Sequence, residues 1–187
     1  MLERSPSSGL ALRGRTVPAF IAIEGPIGVG KTTLARKIAE TFEYDLLLEE
    51  AEMNPFLERF YQNREQTALA TQLFFLFQRV QKITDIKQRD MFERTRVTDF
   101  ILEKDPLFAR VNLEPAEYAL YDKVYEKMQV ESPTPDLVIY LQANPERLLE
   151  RIGKRGIDAE QSIDRLYLEQ LNEVYSEFFL YYDAAPL

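Results

Sequence analysis

Residues 20–42 read FIAIEGPIGVGKTTLARKIAETF, and this stretch decides the fold. A short apolar run at residues 19–23 predicts a buried parallel strand, which ends in Glu24 and Gly25. Residues 31–42 predict a helix, because apolar side chains recur every four residues at Leu34, Ile38 and Phe42. A strand, a glycine-rich turn and a helix in this order are the context of a phosphate-binding loop.

The turn spells G-x-x-x-x-G-K-T and begins at Gly25. Its glycines let the backbone fold tightly, so that successive N–H groups point at phosphate oxygens, and the following helix adds the positive end of its dipole. Lys31 is expected to contact the β- and γ-phosphates, and the Thr32 hydroxyl to bind Mg²⁺. The sequence therefore predicts that ATP or GTP is bound by Gly25, Pro26, Ile27, Gly28, Val29, Gly30, Lys31, Thr32 and Thr33.

The rest of the chain alternates strand patterns with helix patterns. Apolar runs predict strands at residues 46–48, 96–98 and 137–141. Helices are predicted between and after them, at residues 56–61, 69–83, 105–112, 115–130, 145–152 and 163–182. This alternation implies right-handed crossovers, and so a parallel sheet with helices on both faces. We therefore predict one α/β domain over residues 19–187, a three-layer α/β/α sandwich.

Composition excludes several classes of function. With 23 Lys and Arg against 31 Asp and Glu, the net charge is −8, which argues against nucleic-acid binding. The sequence has no Cys and no His, so zinc sites, thiolate nucleophiles and Ser-His-Asp triads are excluded. The groups that remain available for catalysis are carboxylates, Lys, Arg and a hard cation such as Mg²⁺.

No membrane-spanning segment is expected, because no apolar run approaches 18 residues. Residues 1–18 are rich in Arg and Ser, which suits either a targeting leader or a flexible tail. The expectation is a flexible N-terminal tail on a cytoplasmic protein.

The residues that follow the later strands narrow the class of nucleotide enzyme. GTPases read guanine with an Asn-Lys-x-Asp loop, whereas the strand at 137–141 continues into Gln142-Ala143-Asn144-Pro145. That strand also lacks the terminal Asp that a motor ATPase uses for Mg²⁺. Asp99, directly after the strand at 96–98, is therefore predicted to bind Mg²⁺ together with Thr32.

Several spaced features resemble the deoxynucleoside kinase family, which phosphorylates deoxyribonucleosides at the 5′-hydroxyl. In chain order they are Glu49-Glu50, Asn54-Pro55-Phe56-Leu57, Phe60-Tyr61, Gln72 seven residues before Arg79, Arg151, Arg155-Gly156 and Glu160-Gln161. The last three match a mobile lid over the phosphates. The resemblance covers residues 20–186 and implies ATP, Mg²⁺, a deoxyribonucleoside substrate and a homodimer.

Glu49 is the predicted catalytic base. It follows the second strand, at the edge where parallel sheets bind ligands, and its carboxylate can accept the 5′-hydroxyl proton. Glu50 is the rival, because adjacent residues of a strand point opposite ways. The distance in sequence from Glu49 to Asn54 fits the family pattern and favours Glu49.

Gln72 and Arg79 are the predicted base clamp. The Gln72 amide can hold one base edge through two hydrogen bonds, and seven residues nearly complete two helical turns, which puts Arg79 on the same face. Neighbouring Phe74, Phe75 and Phe77 either stack on the base or belong to the core.

The resemblance implies roles for five more residues. It places Tyr61 and Glu160 near the 3′-hydroxyl and Asp105 near the base. Arg151 and Arg155, four residues apart, share one helix face from which they can reach the transferring phosphate.

The sequence departs from the family at three places. Asp99 is followed by Phe100, where the family usually has Arg, and Ile157 replaces a lid Arg, so Lys104 or the lid must supply part of the positive charge. Relatives also continue past a segment like 183–186 into one more strand. Either the sequence is truncated, or its missing strand weakens ATP binding.

The sequence thus predicts an ATP-dependent deoxynucleoside kinase. Two alternatives stay open: a nucleoside monophosphate kinase of the thymidylate type, although its acid-Arg-Tyr run is missing, and a catalytically quiet nucleotide-binding subunit. The preferred base also stays open, because Gln serves purines and pyrimidines alike. The face with Leu120, Val124 and Met128 either forms the dimer or packs on the sheet.

Overall fold

The computed structural model describes residues 18–88, 94–128 and 133–187. Within these ranges there are four strands, β1 (Phe20–Glu24), β2 (Asp45–Leu47), β3 (Arg96–Thr98) and β4 (Leu137–Tyr140). The same ranges hold seven α-helices, α1 (Lys31–Phe42), α2 (Leu57–Gln62), α3 (Arg64–Gln88), α4 (Asp105–Asn112), α5 (Pro115–Met128), α6 (Pro145–Arg155) and α7 (Arg165–Leu180). The predicted alternation of strands and helices is confirmed.

The four strands form one parallel sheet in the order β2-β3-β1-β4. Central β1 pairs with β3, where Phe20 lies opposite Arg96, and with β4, where Ile21 lies opposite Leu137. Ile21 and Ile23 pack on one face of the sheet with Ala35 of α1. The alternation of side chains along β1 leaves Ala22 and Glu24 for the opposite face.

The second face of the sheet packs against α7. Ala22 and Val138 contact Tyr175 and Phe179 of this helix in a buried cluster. Helices therefore cover both faces, as expected for a three-layer sandwich. Because the phosphate-binding loop leaves the carboxyl end of β1, this arrangement places the loop at the edge of the sheet where α/β proteins bind ligands.

Several predicted boundaries differ from the structure. The long helix predicted at residues 69–83 is longer at both ends (α3, Arg64–Gln88), the last helix ends at Leu180 instead of 182, and several other boundaries are shifted by one or two residues. α6 continues past the predicted residue 152 to Arg155 and ends where Gly156 adopts a left-handed conformation (φ 68°). α7 begins at Arg165 instead of 163, because the Asp164 side chain accepts a hydrogen bond from the Tyr167 N–H (2.8 Å) and caps the helix.

Some predictions concern residues outside the described ranges, namely residues 1–17 of the predicted tail and residues 129–130 of a predicted helix. On α5, Val124 and Met128 pack against the main core, whereas Leu120 is 51% exposed. None of the helices in the described ranges is long and apolar enough to span a membrane.

Candidate active site

Glycines shape the phosphate-binding loop after β1. Gly25 and Gly28 have φ values of 148° and 80°, in the region that side chains rarely tolerate. A Cβ atom on Gly25 would lie 2.4 Å from the Leu141 carbonyl oxygen, and one on Gly28 would lie 2.8 Å from Ile152. These two positions require glycine because the loop packs tightly against the end of β4 and against α6.

Lys31 begins α1 and folds back over the loop. Its ammonium group donates hydrogen bonds to the carbonyl oxygens of Gly25 (2.7 Å) and Pro26 (3.2 Å). Burial, followed by the positive charge of Lys104, lowers the pKa of Lys31 to about 8. The ammonium group therefore lies in the concave side of the loop, where phosphate oxygens are expected.

Two cavities meet at this loop. The first, of about 130 Å³, extends towards α3 and is lined by Glu49, Tyr61, Gln72, Arg79 and Lys104, among others. The second, of about 670 Å³, opens between α1 and α6 and includes Lys37, Arg151 and Lys154 in its lining. Both cavities share the lining residues Gly28, Lys31, Thr32 and Arg155. A group bound on the loop would therefore be reachable from both sides.

Asp99 links the loop to the predicted base. One carboxylate oxygen accepts a hydrogen bond from the Thr32 hydroxyl (2.5 Å), and the other accepts one from the backbone N–H of Glu49 (2.7 Å). The hydroxyl and the carboxylate are hard oxygen ligands of the kind that Mg²⁺ takes alongside phosphates. The two side chains predicted to bind Mg²⁺ are thus in contact and fit this ion.

Glu49 and Glu50 point to different environments. The Glu49 side chain is 15% exposed, lines the first cavity, and pairs with Lys104 (2.9 Å) and with Arg79. The Glu50 side chain is 56% exposed and pairs with Lys82 (2.7 Å). Of these two neighbouring acids, the structure puts Glu49 in the cavity and Glu50 towards solvent.

The surroundings of Glu49 keep it ionised. Burial alone would raise the pKa of this carboxyl, but the nearby cations Arg79 and Lys104 outweigh burial and lower it to about 2. Glu49 is therefore an ionised carboxylate at physiological pH.

Gln72 lies in the middle of α3 and is 2% exposed. It lines the first cavity together with Phe75, and its amide oxygen has no hydrogen-bond partner in the described part of the chain. An unpaired buried polar atom is costly, so a ligand that donates a hydrogen bond here would remove a penalty. Phe77, in contrast, is 51% exposed and lies outside the cavity lining.

Arg79 lines the same cavity two turns along α3. Its guanidinium group pairs with Glu49 and Asp105 and lies 5.1 Å from the centre of the Phe75 ring. Gln72 and Arg79 therefore line one cavity, as residues on a common helix face can, and their contact with a base stays a prediction.

Asp105 stands behind Arg79 and does not line the cavity. It is completely buried, one carboxylate oxygen pairs with Arg79, and the other accepts a hydrogen bond from the Tyr121 hydroxyl (2.9 Å). The direct contact of Asp105 with the base stays a prediction. In this structure its two oxygens contact protein groups, Arg79 and Tyr121.

The predicted lid residues lie on α6 and in the turn after it. Arg151 lines only the second of the two cavities and donates to the Val29 carbonyl oxygen (2.7 Å). Arg155 pairs with Glu160 (2.5 Å), and Glu160 lines the first cavity with Tyr61. Burial, Tyr167 and Glu160 raise the pKa of the Tyr61 hydroxyl, which stays protonated.

The sequence analysis missed several side chains at the site, of which Tyr167 and Glu24 are the most informative. Tyr167 of α7 lines the first cavity, and the Arg64 guanidinium lies 3.7 Å from the centre of its ring. Glu24 is completely buried at the end of β1. For Glu24, the sequence offered one signal, its position at the carboxyl end of a central strand. Its partners could not be predicted, because they come from distant parts of the chain.

Comparison with known proteins gives one consistent family. The family profile described as "Deoxynucleoside kinase" matches residues 21–187. A deoxyguanosine kinase of Bacillus subtilis (strain 168) is 37% identical over 157 residues, covering 83% of this chain and 76% of the relative. A deoxyadenosine/deoxycytidine kinase of the same organism is 31% identical, covering 90% and 80% respectively.

Solved structures agree with these sequence relatives. Deoxyadenosine kinase from M. mycoides with bound dCTP is 30% identical and superposes with a TM-score of 0.76, covering 86% of this chain and 83% of that one. The same kinase with bound dATP gives a TM-score of 0.77 over 88% of this chain and 90% of that one. The family match at residues 21–187 includes the lining residues of both cavities.

Proposed function

Because this chain belongs to the deoxynucleoside kinase family and phosphorylates deoxynucleosides with ATP, we propose that Glu49 is its catalytic base. The 5′-hydroxyl of the substrate would enter the first cavity beside Glu49, whose ionised carboxylate accepts the proton as the oxygen attacks the γ-phosphorus. The position of Glu49 supports this role better than that of Glu50, because only Glu49 lines a cavity that reaches the phosphate-binding loop.

Gln72 and Arg79 bind the nucleobase in this proposal. The unpaired Gln72 amide oxygen would accept a hydrogen bond from the base edge, while Phe75 offers a ring beside the plane of the base. Asp105 acts indirectly by fixing Arg79. Tyr61 and Glu160, which line the same cavity, would hold the 3′-hydroxyl of the sugar.

The phosphates of ATP would lie on the loop of residues 25–33. Backbone N–H groups and Lys31 would bind the β- and γ-phosphates, and Arg151 and Arg155 would stabilise the negative charge of the transferring group. Thr32 and Asp99 would hold Mg²⁺, which when bound neutralises phosphate charge. The described residues contain no cluster of three or more acids that would bind a metal without the nucleotide.

One observation carries the proposal: the cavity that contains Glu49 and Gln72 shares Lys31, Thr32 and Arg155 with the cavity that suits the ATP phosphates. A nucleophile activated at Glu49 would therefore face a phosphate bound on the loop. Holding both reactants in one geometry is what a phosphoryl transfer needs most.

The test compares Glu49→Gln with Glu50→Gln. Each variant keeps the size of the side chain and removes its charge. We expect kcat to fall by roughly 10²–10⁴-fold in Glu49→Gln, the usual contribution of a general base, while the affinity for an ATP analogue is retained. Glu50→Gln should keep wild-type turnover; a loss there with full activity in Glu49→Gln would assign the base to Glu50.

A nucleoside, not a nucleoside monophosphate, is the proposed acceptor. A monophosphate acceptor needs additional positive charge for its own phosphate, whereas Arg79 and Lys104 in this cavity are already paired with carboxylates. Steady-state assays with thymidine and the other deoxynucleosides, and with their monophosphates, separate the two activities. Turnover of only the monophosphates would overturn this assignment.

A homodimer in the cytoplasm is also proposed, for a role in nucleotide salvage. Leu120 of α5 is 51% exposed, whereas neighbouring Val124 packs against the core. The Leu120 side chain is therefore available for a symmetric contact between two copies. Sedimentation equilibrium of the wild type and of Leu120→Glu tests the dimer. A monomeric wild type would contradict it.

A further inference from the structure

Lys104 is the most buried lysine described in this protein and faces the first cavity. It lies at the end of a short 3₁₀ turn just before α4, is 2% exposed, and is among the side chains that line the cavity. Its ammonium group is 2.9 Å from a Glu49 carboxylate oxygen and 3.9 Å from Glu24. Burying a lysine is expensive, so its place beside the proposed base calls for an explanation.

Each carboxylate oxygen of Glu24 already has a hydrogen-bond partner other than Lys104. Its two carboxylate oxygens accept hydrogen bonds from the backbone N–H groups of Gly25 (2.9 Å) and Ile101 (3.1 Å) and from the Tyr175 hydroxyl (3.0 Å). A lysine needed only to satisfy Glu24 would point at Glu24. Lys104 makes its shorter contact with Glu49, on the cavity side.

We propose, on the basis of the function proposed above, that Lys104 is a further catalytic residue and that Glu24 is the positioning residue that holds it. The ammonium group of Lys104 would contact the 5′-oxygen of the nucleoside while that oxygen is held by Glu49. Glu24 would supply the negative charge that keeps the ammonium group in the cavity wall. It is itself held by the N–H groups of Gly25 and Ile101, which follow β1 and β3, and by Tyr175 of α7.

The chemistry balances without a proton change on Lys104. The 5′-oxygen forms a bond to the γ-phosphorus, the bond from that phosphorus to the β–γ bridging oxygen breaks, and ADP leaves with the electron pair. The hydroxyl proton passes to Glu49. Lys104 keeps its protons throughout and stabilises the negative charge that grows on the attacking oxygen, as a fixed positive charge in a site with little water can.

The experiment removes the ammonium group and then returns it. In Lys104→Ala we expect kcat to fall by roughly 10²–10³-fold, the cost of losing one electrostatic contact to the transition state, with an unchanged Kd for an ATP analogue. Propylammonium has the atoms that this substitution deletes, and we expect it to restore part of kcat in a saturable manner. A folded Lys104→Ala enzyme that keeps wild-type kcat, or that propylammonium does not restore, would overturn the proposal.

A double variant covers the case in which Lys104→Ala does not fold. Glu24→Gln combined with Lys104→Met removes both charges, and replacing a buried ion pair by neutral groups of similar volume is often tolerated. Folding is checked by circular dichroism. We expect the same loss of kcat in this folded variant, and wild-type kcat in it would contradict a catalytic role.

Lys82→Met is the matched control, because Lys82 pairs with the neighbouring Glu50 (2.7 Å) outside the first cavity. Its kcat should stay within about threefold of the wild type, since ion pairs with an exposed partner contribute little. Glu49→Gln in the same assay separates the two proposals. Full activity in Glu49→Gln contradicts the proposed base, whereas full activity in the Lys104 variants contradicts only this inference.

Discussion

One network of charged side chains beside the first cavity is buried and shares partners, whereas several pairs on α6 and α7 are exposed and local. Arg79 connects Asp105 to Glu49, and Lys104 connects Glu49 to Glu24. On α6, the side chains of Glu150 and its partners Arg147 and Lys154 are 42–75% exposed. The first group is one continuous network, and the second is a set of ordinary helix surface pairs.

The difference shows where charge serves function in this fold. A buried charge costs desolvation energy that its partners only partly return, so a chain of five such groups is a poor means of stabilisation. It is, however, a good means of fixing side chains in one geometry around a reacting oxygen. The surface pairs are screened by water and lie outside the first cavity, although Lys154 lines the second. The effects of substitutions on stability and on binding should therefore be larger beside the first cavity than on the surface.

The largest effect on stability is expected from Asp105→Ala. This substitution leaves a buried guanidinium group with one partner fewer, and the free energy of unfolding should fall by about 3–5 kcal/mol. Urea unfolding followed by circular dichroism measures the loss. Asp85→Ala, at an exposed position of α3, is the control, and equal losses in both variants would erase the contrast between buried and exposed charge.

A smaller effect, on binding alone, is expected from Gln72→Ala. Without the amide, a buried polar group of the base is left unpaired, which costs about 1–3 kcal/mol and raises KM for the nucleoside by roughly 5- to 150-fold. KM for ATP should not change. Gln66→Ala removes the same side chain from an exposed position of α3 and should leave both KM values as they are. If Gln72→Ala lowers stability without raising KM, the residue belongs to the core.

Tyr121→Phe should have a still smaller effect, because it deletes one hydroxyl and keeps the ring. The Asp105 oxygen that accepts its hydrogen bond would then be unpaired, at a cost of about 1–2 kcal/mol in the free energy of unfolding. Tyr125→Phe is the matched control, since Tyr125 stacks on Tyr121 from the next turn of α5. A loss in Tyr125→Phe as large as that in Tyr121→Phe would show that the hydrogen bond to Asp105 is not the cause.

The smallest effect is expected from Glu150→Gln. This side chain pairs with Arg147 and Lys154 on the exposed side of α6, and water screens both pairs. Differential scanning calorimetry should give the wild-type Tm. A clear fall in Tm would mean that these surface pairs do stabilise α6.

The fold was predictable because its signals are local. A strand, a glycine-rich loop and a helix identify the edge of the sheet, and the acids after the next two strands must come to the same edge. Gln72 and Arg79 could be assigned to one wall because helical spacing fixes a common face. These predictions needed only distances along the chain.

Contacts between distant residues were not predictable in the same way. Helical spacing could not predict that Asp105 lies behind Arg79, because Arg79 is on α3 and the second partner of Asp105, Tyr121, is on α5. The burial of Glu24 depends on Ile101 and Tyr175, which lie 77 and 151 residues along the chain. The contact between Arg155 and Glu160 depends on the turn at Gly156, which brings Glu160 back towards the end of α6.

A crystal structure with a bound deoxynucleoside and a non-hydrolysable ATP analogue tests the central claim most directly. The account predicts that the 5′-oxygen lies within about 2.6–3.2 Å of a Glu49 carboxylate oxygen, with the base edge on Gln72 and the γ-phosphate on the loop beside Lys31. A 5′-oxygen directed at Glu50, or a nucleoside bound away from Gln72, would contradict it.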